Sequence, residues 1–310
     1  MAKKGKAQIW LEYAAVRLVF AFFYILPRRS SISVGRLLGR MTFRLAGRLR
    51  RVAMRNLEIA LPAKPEPERE QIARASFDNL GRLLGELGQF PKFTLDSLKE
   101  LVEFKFQREA EAEYERLKAE GNRGSIIVSP HLGNWELLVF AWSAFNEPIN
   151  YLARPLDNPL IEEFTVQLRT RFGNRAINKT NSVGLALQIL REGGILGVLP
   201  DVNSHPKEGV FVPFFGIEAC TTAGVAMLAI RTNSLIVPMC GVWDEDAGKY
   251  RLVHGKIILP KYSGDLRADV ASVTAEYTSE IEKLIREFPG QWLWIHKRWK
   301  TRPPGEPPLY

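Results

Sequence analysis

The pattern of hydrophobic and polar residues changes at about residue 100 of this 310-residue chain. Beyond that point, short apolar runs alternate with amphipathic segments of about ten residues or more. Strands are predicted at residues 125–129, 149–153, 195–199 and 235–242. Helices are predicted at residues 134–145, 158–172, 181–192, 221–232 and 266–287. This alternation predicts an α/β fold with a mixed, largely parallel sheet flanked by helices.

The N-terminal segment is strongly apolar. Between Ile9 and Leu26, 16 of 18 residues are apolar or aromatic, and a helix of that length covers about 27 Å, near the thickness of a bilayer core. Arg17 lies close to the midpoint, where a charge is costly to insert. The segment therefore fits a spanning helix, an interfacial helix or a surface helix packed on its own domain.

A second helix, different in character, is predicted as one continuous element from about residue 34 to 62. Arginines recur every three or four residues and form a charged stripe, at positions 36, 40, 44, 48, 51 and 55. An apolar face accompanies it, at Leu37, Leu38, Met41, Leu45, Leu49, Val52 and Leu57. Such a helix suits an anionic membrane surface, nucleic acid or water. The neighbouring apolar segment favours lipid over nucleic acid.

A proline-rich stretch at 62–68 predicts a linker between this arm and the rest of the chain. The predicted organisation is a membrane-anchoring and basic helical arm at 1–61, the linker, and an α/β domain at 69–310. An amphipathic helix from Glu70 to Phe90 opens that domain.

Composition and charge support this division. The chain is 46% hydrophobic, which is enough for a sizeable core, and its net charge is +9. Residues 1–61 carry 13 Lys and Arg against two Glu, so the remaining residues sum to −2. The only cysteines, Cys220 and Cys240, predict neither a disulfide framework nor a metal site, and a reducing compartment fits them. No dinucleotide-binding or P-loop motif is complete.

The sequence SIIVSPHLGNWELL at 125–138 is the strongest candidate for chemistry. His131 follows the first predicted strand, at the end where open α/β sheets bind ligands. Gly133 allows a tight turn, and Asn134 is a candidate N-cap for the helix whose first turn holds Glu136. A loop histidine bonded to that carboxylate would keep one ring nitrogen free as a general base. Alternatively, Glu136 only stabilises the helix dipole and His131 is a turn residue.

The residues HLGNWE match the H-x4-D/E motif of the glycerolipid and lysophospholipid acyltransferase superfamily. In this form the motif resembles the branch that contains the bacterial lipid A biosynthesis lauroyl and myristoyl acyltransferases. Further blocks that resemble this family follow along the chain, namely YLARPLDNPLIEEFTVQLRTRFG, LPDVNSHPKEGVFVPFFG, IVPM and GQWLWIHKRWKTRPPGE. One position departs from the usual Asp-Gln of the third block, because Val202 follows Asp201 here.

The resemblance implies transfer of a fatty acyl group from an acyl carrier protein or coenzyme A thioester to a hydroxyl of a lipid A precursor. His131 would be the base, Glu136 its orienting partner and Arg154 a clamp for an anionic group. Backbone N–H groups near Gly133 and Asn134 would stabilise the oxyanion. No cofactor beyond the thioester co-substrate and no metal is expected.

Further candidate residues each have a second interpretation. Asn134 and Asp201 are counted among the substrate-contacting residues, although Asp201 equally suits orienting Arg154 or the base, or capping a turn. The rings of Phe211, Phe214 and Phe215 would line an acyl-chain tunnel or belong to the core. The tryptophans and cations at 292–300 suit a lipid headgroup layer or a buried C-terminal element.

The expected location is the cytoplasmic face of a bacterial inner membrane, with an anionic lipid surface as partner and no nucleic acid. One alternative keeps the chemistry but changes the acceptor to a lysophospholipid or a glycolipid sugar. Another is a membrane-binding protein that has the fold without the catalysis.

Overall fold

The computed structural model describes residues 5–103, 108–121, 123–153, 155–178 and 182–310. The helices are α1 Lys6–Ile25, α2 Arg28–Leu45, α3 Gly47–Ala60, α4 Glu66–Leu87, α5 Leu95–Leu101, α6 Arg108–Ala119, α7 Trp135–Phe145, α8 Pro159–Arg169, α9 Ser182–Arg191, α10 Gly224–Thr232 and α11 Leu266–Glu287. The strands are β1 Val102–Glu103, β2 Ser125–Val128, β3 Ile149–Ala153, β4 Arg175–Asn178, β5 Ile195–Val198, β6 Gly209–Phe214, β7 Ile217–Thr222, β8 Leu235–Asp244 and β9 Lys249–His254. Short 3-10 turns occupy Phe90–Lys92 and Pro289–Gln291.

Within the described residues, seven strands form one sheet in the order β1-β9-β8-β2-β5-β3-β4. All neighbouring strands are parallel except β8 and β9. The predicted α/β fold with a mixed, largely parallel sheet is confirmed. The strand β2 is central, and its four residues are all buried because both faces of the sheet are covered.

The four predicted strands correspond to β2, β3, β5 and β8. The five helices predicted from residue 134 onward correspond to α7 to α11, and their ends agree to within a few residues. The polar strand β4 was not predicted, nor was the antiparallel hairpin of β6 and β7. This hairpin turns at Phe215 and Gly216, which both have positive φ, 54° and 75°. Positive φ at both central residues is the signature of a type I′ turn, which matches the right-handed twist of the two strands that it connects.

The prediction of one continuous basic helix is wrong. The chain breaks at Ala46, which has φ −87° and ψ 67°, and forms the two helices α2 and α3. Gly47 follows the break, and glycine is a poor helix former. The arginines therefore divide between two helices instead of forming one stripe.

Helix α2 packs on α4 through glycines rather than through its leucines. A Cβ on Gly35 would lie 2.2 Å from the carbonyl oxygen of Gly81, and one on Gly39 would lie 2.2 Å from that of Phe77. The spacing Gly35-x-x-x-Gly39 opposes Gly81-x-x-x-Gly85, so the two backbones approach closely. The arm is thereby fixed to α4, which begins at Glu66, inside the predicted linker. The domain division at 61 and 69 remains a prediction.

The predicted apolar face of α2 consequently points away from the protein. Leu37, Leu38, Met41 and Leu45 are all exposed. Helix α1 is the one helix of the described chain that is long and apolar enough to cross a membrane. Its exposed residues include Trp10, Leu11, Leu18, Phe22 and Ile25.

The C-terminal tryptophans belong to the core. Trp292, Trp294 and Trp299 are at most 2% exposed, and Arg298 is fully buried. The headgroup-layer interpretation of residues 292–300 is therefore wrong, and the buried-element alternative is confirmed. Arg298 donates to the carbonyl oxygen of Cys220 at 2.9 Å, which ties this segment to β7.

Candidate active site

Two neighbouring parallel strands place His131 beside Asp201. The register of β2 and β5 sets Val128 opposite Val198. His131 and Asp201 each follow their strand end by three residues, so both lie at the carboxyl edge of the sheet.

Asp201 holds His131 at two atoms. The His131 Nδ1 lies 2.7 Å from Asp201 Oδ1, and the His131 backbone N–H donates to Oδ2 at 2.7 Å. The indole N–H of Trp292 also donates to Oδ2 at 2.7 Å. When the ring is neutral and Nδ1 donates to the carboxylate, Nε2 carries the lone pair. The carboxylate of Asp201 is buried, which suits a fixed orienting group.

The predicted hydrogen bond between His131 and Glu136 is wrong, because Asp201 occupies Nδ1. Glu136 lies in the first turn of α7 and forms a bidentate ion pair with Arg169 at the end of α8. The Nε of Arg169 donates to Glu136 Oε2 at 2.7 Å. Two guanidinium nitrogens of Arg169 therefore bind the carboxylate of Glu136, which the sequence analysis expects beside the imidazole of His131.

The charges around His131 shift its pKa. Burial alone would lower the pKa of His131, but the attraction of Asp201, their hydrogen bond and the charge of Glu136 outweigh it, so the pKa is raised above 6.5. For Asp201, burial acts to raise the pKa, whereas the imidazole charge and the hydrogen bonds of His131 and Trp292 lower it overall. The pair therefore favours an imidazolium next to a carboxylate.

The turn chemistry of the loop is confirmed, while its role as an oxyanion hole is not supported. Gly133 has φ 65°, and Asn134 caps α7 by accepting the N–H of Leu137 at 3.0 Å. The N–H of Gly133 donates to the carbonyl of Gln291 and that of Asn134 to the carbonyl of Gly241, each at 3.0 Å. Both predicted donors are thus used within the protein.

Asn134 also has a structural role in place of the predicted substrate contact. It is 1% exposed, and its Nδ2 donates to Glu86 Oε2 at 2.8 Å. Glu86 in turn pairs with Arg28 of α2. The loop before α7 is therefore connected through α4 to the N-terminal arm.

A cavity of about 650 Å³ opens beside His131. Trp135, Glu136 and Arg169 line it near the imidazole. Its wall continues over apolar side chains, among them Ile127, Val139, Trp142, Ile149, Val198 and Met239. A polar end with a base and a long apolar wall suit a substrate with a reactive head and a hydrocarbon chain.

Phe211, Phe214 and Phe215 are absent from the described lining of this cavity. Phe214 is fully buried and Phe215 is 6% exposed. Phe214 packs against Trp292 with ring centroids 5.8 Å apart. Phe211 is half-buried in β6. Phe214 and Phe215 are core residues, so for these two rings the core alternative is confirmed and the tunnel prediction is wrong.

Arg154 lies outside the described residues, so its expected contact with an anionic group stays a prediction. Among the residues that the structure describes, no cluster of His, Cys, Asp and Glu is arranged to hold a metal ion.

Comparison with known proteins identifies the family. The sequence model of the bacterial lipid A biosynthesis acyltransferase family matches residues 2–301. The chain belongs to this family. It is 29% identical over 306 residues to the lipid A biosynthesis lauroyltransferase of Escherichia coli K12, which covers 97% of this chain and 95% of the relative.

Two more E. coli K12 relatives in this family are similar over nearly their full length. The palmitoleoyltransferase is 30% identical over 302 residues, covering 97% of this chain and 94% of the relative. The myristoyltransferase is 24% identical over 297 residues, covering 96% and 88%. The resemblance drawn from HLGNWE and the later blocks is confirmed.

Two residues of the site were missed in the sequence. Arg169 lies near the end of the helix predicted at 158–172 and is the last residue of α8, but nothing in the sequence indicates that this helix end meets the start of α7. Trp292 lies 91 residues after Asp201, and nothing in the sequence links the two. Only Asp201 has a signal in the sequence, because His131 and Asp201 each come two residues after the end of a predicted strand.

Proposed function

We propose that this acyltransferase of lipid A biosynthesis moves a fatty acyl group from a thioester to a hydroxyl of a lipid A precursor, with His131 as the general base. The observation that supports this proposal is the bond from the buried Asp201 to Nδ1 of His131, a residue that lines the cavity with the apolar wall. An imidazole held in this way accepts a proton at Nε2.

The proposed step is direct transfer in a ternary complex. As the acceptor oxygen attacks the thioester carbonyl carbon, Nε2 of His131 takes the hydroxyl proton. The imidazolium is stabilised by Asp201 and by the charge of Glu136. When the carbon–sulfur bond breaks, the imidazolium returns the proton to the leaving thiolate. The products are an ester and a free thiol.

Glu136 is proposed to act on the His131 ring through its negative charge and not through a hydrogen bond. Its ion pair with Arg169 forms the wall next to His131. Arg154, which follows β3 in the sequence, is proposed to hold an anionic group of a substrate.

The acyl chain is proposed to lie along the apolar part of the cavity. The relatives are named for three different acyl groups, lauroyl, palmitoleoyl and myristoyl. We propose that the depth of the cavity of this chain sets its preference, because added bulk in an apolar pocket discriminates between chains that differ by a methylene.

We propose an inner-membrane location on the cytoplasmic side, with α1 lying in the interface. Helix α1 contacts the rest of the protein along its length: Asn158 donates to the Ile9 carbonyl at 2.9 Å, and Phe20 meets Phe164 at 4.9 Å. Near its end, Gln89 donates to the Phe23 carbonyl. A crossing helix would draw these partners into the bilayer. Extraction of the membrane-bound protein by alkaline carbonate is therefore expected, and retention in the pellet would contradict it.

The catalytic proposal is tested with the full-length chain purified in a neutral detergent. Labelled acyl carrier protein and coenzyme A thioesters are offered with a lipid A precursor, a lysophospholipid or a glycolipid as acceptor. His131→Ala is expected to lower turnover by about 10²- to 10⁴-fold. The matched control is His254→Ala, which removes a histidine outside the described lining of the cavity.

Transfer at the wild-type rate by folded His131→Ala would refute the assignment of the base. Transfer to a lysophospholipid or glycolipid, but not to the lipid A precursor, would refute the assignment of the acceptor.

A further inference from the structure

A second cavity, of about 520 Å³, lies between α2, α4 and the turn at Pro289–Gln291. It shares no described lining residue with the cavity of His131. Five arginines line it, namely Arg36, Arg40, Arg44, Arg74 and Arg82. The acyl-transfer proposal uses none of them.

The lining of this second cavity carries an excess of positive charge. Its carboxylates are Asp78 and Glu245, so five guanidinium groups face two carboxylates, a net charge of +3. Asp78 pairs with Arg36 at 2.6 Å and Arg40 at 2.8 Å. Glu245 pairs with Arg82 at 2.6 Å. Arg74 also pairs with Glu70, which lies outside the described lining. Each guanidinium has five N–H donors, so even three carboxylates cannot satisfy the set.

One of the arginines is fixed in the wall of the cavity. Arg82 is 4% exposed, and its guanidinium carbon lies 4.2 Å from the ring centre of Trp243. The stacked ring and the Glu245 pair hold the guanidinium in one orientation. A planar fork held in place is the group that recognises phosphate bidentately.

Helix α2 contributes three of the arginines, and exposed apolar residues follow them in the sequence. Arg36, Arg40 and Arg44 recur every four residues, and each is followed by an exposed apolar residue: Leu37, Met41 or Leu45. Successive helical residues are about 100° apart, so the arginine row and the apolar row are neighbouring stripes of the same helix. This is the arrangement expected where acyl chains end and phosphate groups begin.

From this arrangement we infer that the second cavity is a binding site for the phosphate of a membrane lipid headgroup, separate from the acyl-transfer centre. The cavity supplies several guanidinium groups to one anion, and the row of Leu37, Met41 and Leu45 contacts the adjoining lipid. The site stands whether or not His131 is the base, because it rests on a different cavity.

Calorimetry with the full-length protein in a neutral detergent tests this inference. The probes are dihexanoyl phosphatidic acid, inorganic phosphate, and a dihexanoyl glycerol that carries a hemisuccinate in place of the phosphate. The double variant Arg40→Gln/Arg44→Gln is expected to weaken binding of phosphatidic acid by at least about tenfold. The matched control Arg48→Gln/Arg51→Gln removes two exposed arginines of α3 outside the described lining, and about a twofold change is expected.

The three probes distinguish a lipid phosphate from a soluble phosphate. Tight binding of phosphatidic acid with weak binding of inorganic phosphate supports a lipid headgroup, whereas equal binding of both assigns the site to a soluble phosphate and overturns the lipid part. Equal losses in the two double variants, or hemisuccinate binding as tight as phosphatidic acid, would show only general charge attraction and overturn the site. Circular dichroism of both variants excludes loss of folding as the cause.

Discussion

The Nδ1 of His131 lies 2.7 Å from Oδ1 of Asp201, a residue 70 positions further along the chain. The second carboxylate oxygen binds the backbone N–H of the same histidine, so ring and backbone are fixed together. An aspartate that accepts both bonds determines which ring nitrogen is basic and where it points. Asp201 is thus a positioning residue for the proposed base.

The first prediction concerns Asp201→Asn. The neutral imidazole is the active form, so kcat/KM should fall as the pH drops through the raised pKa of His131, above 6.5. Asparagine removes the negative charge that raises the pKa of His131 against the effect of burial. The pKa of His131 should therefore fall, and the midpoint of this acid limb should move to lower pH. Turnover at its plateau should fall by about 10²- to 10⁴-fold, as for loss of the correct tautomer. A pH profile of the wild-type limb measured in the same buffers is the control, and an unshifted midpoint would contradict the role.

A second prediction compares this variant with Glu136→Gln. Glutamine preserves the shape of the carboxylate but removes a charge that raises the pKa of His131, so the acid limb should again move to lower pH. The Nδ1 bond to Asp201 remains, so the plateau should fall less than in Asp201→Asn. Both variants are assayed with one acyl donor. If Glu136→Gln is the more damaging, the carboxylate of Glu136 has the larger share in catalysis.

A third prediction concerns the length of the acyl chain. Gly197 of β5 lines the cavity, and an added Cβ would lie 2.9 Å from the side chain of Ile149. Gly197→Ala should lower kcat/KM for the longest accepted donor relative to a shorter one by about tenfold or more. Competition between two thioesters in one reaction measures the ratio. Gly184→Ala in α9, where nothing lies within 4 Å of the added carbon, should leave it unchanged.

Hydrophobic periodicity predicts four of the seven strands of the sheet, β2, β3, β5 and β8, because these are the apolar and largely buried runs. Residues 149–153 were predicted and observed as β3, and the helix at 266–287 coincides with α11. Strand β4 reads RAIN, with polar residues at both ends, and such a strand is not separable from a loop by pattern. The break at Ala46 depends on how α2 and α3 meet α4, which periodicity does not encode.

The site was predicted only in part, because adjacency in sequence suggested the wrong carboxylate. Glu136 is five residues from His131, whereas Asp201 reaches it through the register of β2 and β5. Strand order decides which loops meet, and the sequence left this order open. The same limit applies to Phe214 and Phe215: aromatic residues suit a tunnel or a core, and it is their packing against the C-terminal tryptophans that makes them core.

A fourth prediction concerns the contact between α2 and α4. In Gly35→Ala the new Cβ would lie 2.2 Å from the Gly81 carbonyl oxygen, and backbone cannot move aside as a side chain can. The helices must separate, so the free energy of unfolding should fall by about 1–3 kcal/mol or more, as in other overpacked cores. Gly47→Ala is the matched control, since its nearest neighbour is the flexible end of Arg51 at 3.5 Å. Denaturant titration of both variants measures the difference. Equal stability of the two would show that α2 does not depend on this close approach, and that the arm is held to α4 by its ion pairs instead.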